Sequence, residues 1–264
     1  MIIKAFVLLL LLNISAVNGE IPPIDMPSIL EGESRVSKVT INYKGKMSPT
    51  QVLEFGEAAK LSETSVHWEG EGPDKHLVYT RMEKLNNECE FKHVFVFLPG
   101  KLFRMKHYEN VMTAPNGEII QREFYNFATQ QAKYPEVMAH PFTLDLAFRT
   151  FDLRKGAKRN FNLWLSASTV FEMETVVTGI EEVEMPDGKK VKCYRLDMIP
   201  DFAKVYGAFI NRLIRPLVPE FIFWIDCEAP HIVLKYNGPL GQVNPVGGPT
   251  ETQLLVSYFP GNSE

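Results

Sequence analysis

The sequence predicts a mainly β protein: a large curved antiparallel sheet forming a half-open or closed barrel, with one amphipathic helix packed on it. Three observations lead there. Short apolar stretches of period two recur along the chain, separated by Pro99-Gly100, Asn116-Gly117 and Asp187-Gly188 turns. Roughly eleven strands follow, without the alternating helices that a parallel sheet needs. Only residues 203–215 carry a clear helical face, with Tyr206, Phe209, Ile210, Leu213 and Ile214 opposite Lys204, Asn211 and Arg212.

Taken in order, Pro22-Pro23 and Pro27 make residues 20–35 an extended lead-in, because proline fixes φ and disfavours helix before it. Val39, Ile41 and Tyr43 alternate with polar neighbours, and Leu77, Tyr79 and Arg81 do so more loosely. Phe91, Phe95 and Phe97 fall on one side of the next strand and Val94 and Val96 on the other, so that strand is expected to be buried on both faces. Turns at 98–101 and 115–118 bracket strands near 102–112 and 118–127, the Asn116-Gly117 pair predicting a two-residue hairpin. A second hairpin joins 169–185 to 189–199 about Pro186-Asp187-Gly188, with Val191 and Cys193 on one face and Tyr194, Leu196 and Met198 on the other. Strands at 160–166, 220–226, 231–236 and 252–259 complete the count, and short helical stretches are expected at 50–60 and 143–150. Residues 238–249 read as a hairpin loop, since no helix with Lys-Ser/Thr follows to make a phosphate cradle. No repeat or linker divides the chain, so residues 36–264 are expected to be one domain.

Composition narrows the function. The 264 residues hold 28 Lys+Arg against 32 Asp+Glu, a net charge of -4 that argues against a nucleic-acid partner. Lys4, the apolar run Ala5–Leu12 and the small residues Val17 and Gly19 read as a secretory signal peptide over residues 1–19, cut before Glu20. The run is too short to span a bilayer, which needs about 20 residues, so no membrane span is expected after cleavage. The remaining 245 residues contain no Asn-x-Ser/Thr acceptor, which favours a bacterial periplasm over a eukaryotic secretory route.

A reaction is harder to find. Nucleophile-elbow, zincin, C-x-x-C, Walker and dinucleotide motifs are all missing, and neither an enzyme nor a cofactor is expected. Cys89 with His93 and Cys227 with His231 repeat a C-x-x-x-H spacing, but four strand residues span about 13 Å, too far to share a metal ion. In an oxidising compartment Cys193 and Cys227 could bridge, leaving Cys89 over; three free thiols are the alternative. Glu172/Glu174 and Glu181/Glu182/Glu184 read as exposed strand charges rather than a glycosidase pair. His140-Pro141 and Arg149 flank the 143–150 segment, as a helix-terminal histidine and an arginine tying a loop to the sheet. The aromatic residues Trp164, Trp224, Phe95, Phe97, Phe171, Tyr206 and Phe209 are candidates to line an apolar cavity for an acyl chain; the competing reading is that they fill the core.

Tyr134-Pro135, His140-Pro141, Phe148-Arg149, Phe161 with Leu163-Trp164, Val177 with Gly179 and Glu181, Cys193-Tyr194, Phe223-Trp224 and Tyr236 with Gly238-Pro239 stand in a familiar order. In these the chain resembles, over roughly residues 36–259, an uncharacterised bacterial domain family of secreted envelope proteins. More distantly it resembles the half-barrel lipoprotein carriers of the periplasm, whose curved sheet and helical plug enclose an apolar cavity. The resemblance implies a periplasmic, cofactor-free protein that handles a lipid or acts as an envelope scaffold with a protein partner, and it brings no catalytic residue. An envelope hydrolase is the least favoured alternative.

Overall fold

The computed structural model describes residues 24–27, 29, 31–42, 60–84, 88–127, 129, 135, 137–166, 169–200, 221–239 and 250–261. The expected signal peptide 1–19, the helix 203–215, residues 240–249 of the hairpin loop and the stretch 50–60 except its last residue lie outside them. Twelve strands appear among the described residues: β1 Ser34–Asn42, β2 Lys60–Glu69, β3 His76–Lys84, β4 Glu90–Phe97, β5 Met105–Thr113, β6 Ile119–Asn126, β7 Lys158–Ser166, β8 Thr169–Glu184, β9 Lys190–Pro200, β10 Phe221–Asp226, β11 Val233–Pro239 and β12 Thr250–Phe259. All pair antiparallel in one sheet of order β6-β5-β4-β3-β2-β1-β12-β11-β10-β9-β8-β7.

That order is the cyclic order of an up-and-down barrel, interrupted only between β6 and β7. The two edge strands are consecutive in the chain, and the segment joining them serves the seam. Within it Ala139 makes a parallel bridge to Leu163 of β7, its N–H donating to Asn162 O at 2.9 Å and its carbonyl accepting from Trp164 N–H at 2.8 Å. Trp164 meets Tyr125 of β6 edge-on at 5.1 Å and Phe127 at 5.0 Å, so ring contacts span the gap that strand hydrogen bonds leave open.

The same segment carries the helix α1, Leu144–Ala147, between 3-10 turns at Pro141–Thr143 and Phe148–Thr150, where a short helical stretch is expected. His140 starts it. Its Nδ1 accepts from Phe142 N–H at 3.2 Å, and the Thr143 hydroxyl closes the capping box by accepting from His140 N–H at 3.1 Å. Leu144, Leu146, Ala147 and Phe148 then lie fully buried on the concave face, Phe148 edge-on to Phe223 at 4.8 Å. Burying a phenylalanine of this kind contributes about 2–3 kcal/mol, enough to hold so short a helix that has little stability of its own.

Strand direction alternates, so the sheet has two ends. At the upper end lie the starts of β1 and β3 and the turn between β8 and β9; at the lower end β9 gives way to β10 and β11 to β12. The described residues of the lead-in join the upper core. Met26 N–H donates to Lys101 O at 2.6 Å and Phe103 N–H to Ile24 O at 2.8 Å, burying Ile24 and Ile29.

Eleven of the twelve described strands lie where the period-two pattern puts them; β2, Lys60–Glu69, is the strand that pattern does not mark, and Phe95, Val96 and Phe97 are buried on both faces of β4. The 169–185/189–199 hairpin is β8 and β9, with Tyr194, Leu196 and Met198 on the main core and Val191 and Cys193 on a second, smaller cluster. The β5–β6 turn departs from expectation. It has three residues, Pro115-Asn116-Gly117, closed by Ala114 N–H to Glu118 O at 2.8 Å and Gly117 N–H to Ala114 O at 2.9 Å. The cause is Pro115, which has no N–H to close a two-residue loop, so the closing pair moves out by one and Gly117 takes φ +85. Pro186-Asp187-Gly188 repeats the arrangement, with Met185 and Lys189 as the closing pair and Gly188 at φ +81.

Candidate functional site

The concave face is layered by cross-strand register. Near the upper end Trp68, Leu77, Phe97 and Met105 stand opposite one another across β2 to β5. The next row is aromatic: Val66, Tyr79, Phe95, Tyr108 and Tyr125. Tyr108 lies 5.2 Å edge-on to Trp164, and His140 packs 4.8 Å from Phe95 and 5.4 Å from Trp164. Rings fill this layer.

The third row is polar. Thr64 stands opposite Arg81, Arg81 opposite His93, His93 opposite Asn110 and Asn110 opposite Glu123, a rung across five strands. Arg81 is buried, with Nε and Nη2 donating to Glu83 at 3.1 and 2.5 Å, Nη1 donating to Gln253 at 3.4 Å, and the Phe142 ring 4.4 Å from its guanidinium. Burial opposes its charge, yet Glu83, Tyr79 and Glu251 hold its pKa above the ordinary arginine value. His93 Nδ1 shares a 3.0 Å hydrogen bond with Tyr108 OH, and burial pushes the imidazole down to about 4. His140, buried beside His93 and Arg81, is held well below its usual range by burial first and by repulsion from His93, when protonated, and from Arg81 second. Both imidazoles are therefore neutral at pH 7. Ser62 Oγ, Thr64 Oγ1 and Asn110 Oδ1 are buried on or beside this rung without a hydrogen-bond partner.

A second buried polar group ties the plug to β1. Arg149 reaches Glu33 with both terminal nitrogens, Arg35 pairs with Asp145, and Tyr79 OH donates to Asp145 at 3.4 Å. Arg149 thus ties the helical segment to Glu33, one residue before β1, and not to a strand as expected. Its partner, Glu33, lies in the lead-in 116 residues away, and Glu33 and the Arg149 side chain are almost wholly buried.

Of the candidate cavity residues, Trp164, Phe95 and Phe97 share the upper concave core and are packed ring against ring, while Phe171 is half-buried against the same core lower down. Trp224 does not join them. It lies between Phe223 and Ile225, which face the main core, and projects to the second cluster, its Nε1 donating to Glu181 at 2.7 Å. Tyr206 and Phe209 lie outside the described residues. Cys89, Cys193 and Cys227 are all free thiols, and burial pushes Cys193 up to about 12. His93, His231 and the strand glutamates stay apart: His231 Nδ1 lies 3.0 Å from Asp226 O, and Glu172 accepts from Asn160 at 2.9 Å. No group of three metal-ligating side chains converges among the described residues.

Sequence reasoning passed over the polar rung. The signal was present, since Arg81 occupies the inward phase after Leu77 and Tyr79, as His93 does between Phe91 and Phe95 and Asn110 between Tyr108 and Met112.

No protein-family model matches the sequence, and no curated protein does. Solved structures similar to the chain include a β-barrel-like protein of the domain of unknown function DUF1849 from Brucella abortus. That chain is 8% identical with a TM-score of 0.40, and the match covers 87% of this chain and 98% of that one. A DUF1329 family protein from Desulfovibrio piger is 12% identical with a TM-score of 0.30, covering 87% and 85%. Similarity at this level carries nothing about function. No described helix is long and apolar enough to cross a membrane.

Proposed function

We propose that this chain is a non-catalytic periplasmic protein, exported by a cleaved signal peptide, that takes a lipophile against the lower concave face of its open barrel. One observation supports this above the rest. Leu77, Tyr79, Phe95, Phe97, Met105 and Tyr108 of the upper concave rows are buried, with Trp68 and Tyr125 half-buried at the row ends, whereas Phe91, Phe171 and Phe221, in the first residues of β4, β8 and β10 at the lower end, are all only half-buried. Apolar rings in a concave, partly open site are what an acyl chain binds. Uptake of an uncharged solvatochromic dye, followed by fluorescence and by native mass spectrometry, tests it. Phe171→Asp is expected to lower the dye's affinity about tenfold, as a buried charge opposes an apolar guest. Protein isolated from its own envelope that shows only its own mass, together with no dye uptake, overturns the reading.

A scaffold role is the second reading, favoured by the edge strand β6. There Ile119, Ile120 and Phe124 are each more than half exposed, a surface suited to strand addition by a protein partner. In-cell crosslinking from position 120 should then capture a partner protein, and a strictly unpartnered monomer would remove this reading.

A further inference from the structure

We infer, resting on the lipophile-binding reading, that the ligand is an amphiphile with an uncharged, hydroxyl-bearing head and that the polar rung of β2 to β5 receives that head. The opposite half of the concave face explains the tail. Met173, Val177, Leu196, Met198, Phe223 and Ile225 of β8 to β10 are buried and apolar, and the Thr175 hydroxyl among them is committed to Arg159 O at 2.8 Å, so these strands present no buried unpaired side-chain polar atom among the described residues.

Chemistry at the rung selects the head. Ser62 and Asn110 are more than nine-tenths buried, and their Oγ and Oδ1 atoms have no partner, as is also true of Thr64 Oγ1. An unpaired buried polar atom is costly, and three on one face of a sheet are better matched by guests that donate and accept hydrogen bonds than by an alkyl chain. An anionic head is not what they suit. Arg81 already donates to Glu83 and Gln253, and His93 and His140 are neutral, so none of these three offers an uncommitted cation to a carboxylate or phosphate. A hydroxyl of a glycerol head would donate to Asn110 Oδ1 on β5, while Ser62 and Thr64, about 14 Å along the sheet beyond β4 and β3, would be reached only by a longer head such as a sugar chain.

Access runs past Phe142. Its ring lies 4.4 Å from the Arg81 guanidinium and 4.7 Å from the His93 ring and is itself only half-buried, so the head reaches the rung by displacing this one side chain.

The test compares monooleoylglycerol with oleate, equal in chain and different in head, binding to the whole protein by native mass spectrometry and tryptophan fluorescence. Monooleoylglycerol should bind at least about tenfold tighter, the worth of one or two hydrogen bonds. Asn110→Leu should remove most of that preference while leaving oleate and the uncharged dye unchanged, Ser62→Ala, three strands away on β2, should remove little of it, and Phe142→Ala should tighten monooleoylglycerol. Asn110→Leu also separates recognition from folding, because it removes an unpaired amide and so should keep or raise Tm while losing the preference. Oleate binding as tightly as monooleoylglycerol, or a preference that survives Asn110→Leu, overturns the head-group assignment with the lipophile reading intact. Failure of the dye and both lipids to bind overturns the lipophile reading itself.

Discussion

Glu33→Gln lowers the unfolding free energy by about 3–5 kcal/mol, read as a fall in the urea midpoint at unchanged m-value, because it strips the charge that compensates a buried guanidinium. Glu33 lies against Arg149 of the plug and 4.0 Å from Arg35 of β1, and burial already pushes Arg35 below its ordinary pKa. Removing this charge leaves Arg35 with Asp145 and strips Arg149 of the carboxylate that both its terminal nitrogens reach. The double variant Glu33→Gln/Arg149→Met should recover part of the loss, since an apolar pair of similar volume is often no worse than a buried ion pair. A single variant within about 0.5 kcal/mol of the parent would mean that the plug is not held by this contact.

Stability should fall as the pH drops from 6.5 toward 4, before most carboxylates titrate. The sign follows from the buried imidazoles. His93 titrates at about 4 in the folded protein and near 6.5 when unfolded, so above 6.5 neither state is protonated and the residue adds no pH dependence. Between those values the unfolded chain takes up a proton that the folded chain refuses, and stability is lost, by about 3 kcal/mol for His93 at the lower limit. His140, held well below its usual range, acts in the same direction. His107, half-exposed and also lowered by burial, acts more weakly. Urea midpoints measured at half-unit steps from pH 7 to 4.5 should show this slope, and His93→Gln, which can keep a hydrogen bond to Tyr108, should flatten it. A midpoint that stays level from pH 7 to 5 would show that these rings are solvated and not buried.

Much of the fold was legible because it is written locally. The alternation in Phe91–Phe97, the faces of Val191–Met198 and the Pro-x-Gly turns each depend on residues within a few positions of one another. The reading of His140 survived for the same reason, since a residue before proline at a helix start is placed by its neighbours. Even there the two-residue turn at Asn116-Gly117 failed, through the missing N–H of Pro115.

The aromatic residues show where local reading stops. Period two places Trp164 and Trp224 on strands and says nothing about which side of the finished sheet each will face. In the fold Trp164 seals the seam against Tyr125 and Phe127, whereas Trp224 joins the second cluster and bonds Glu181. The polar rung is legible only as isolated exceptions in five separate strands until register lines them up.

From sequence alone came the antiparallel β class, most strand positions and the turn chemistry, because backbone sterics and side-chain alternation act over a few residues. Tertiary structure decided the cyclic order with its gap between β6 and β7, the alignment of Thr64, Arg81, His93, Asn110 and Glu123 into one rung, and the pairing of Glu33 with Arg149. Those are contacts between distant parts of the chain, formed because the folded whole leaves each buried charge and each open strand edge one place to be satisfied.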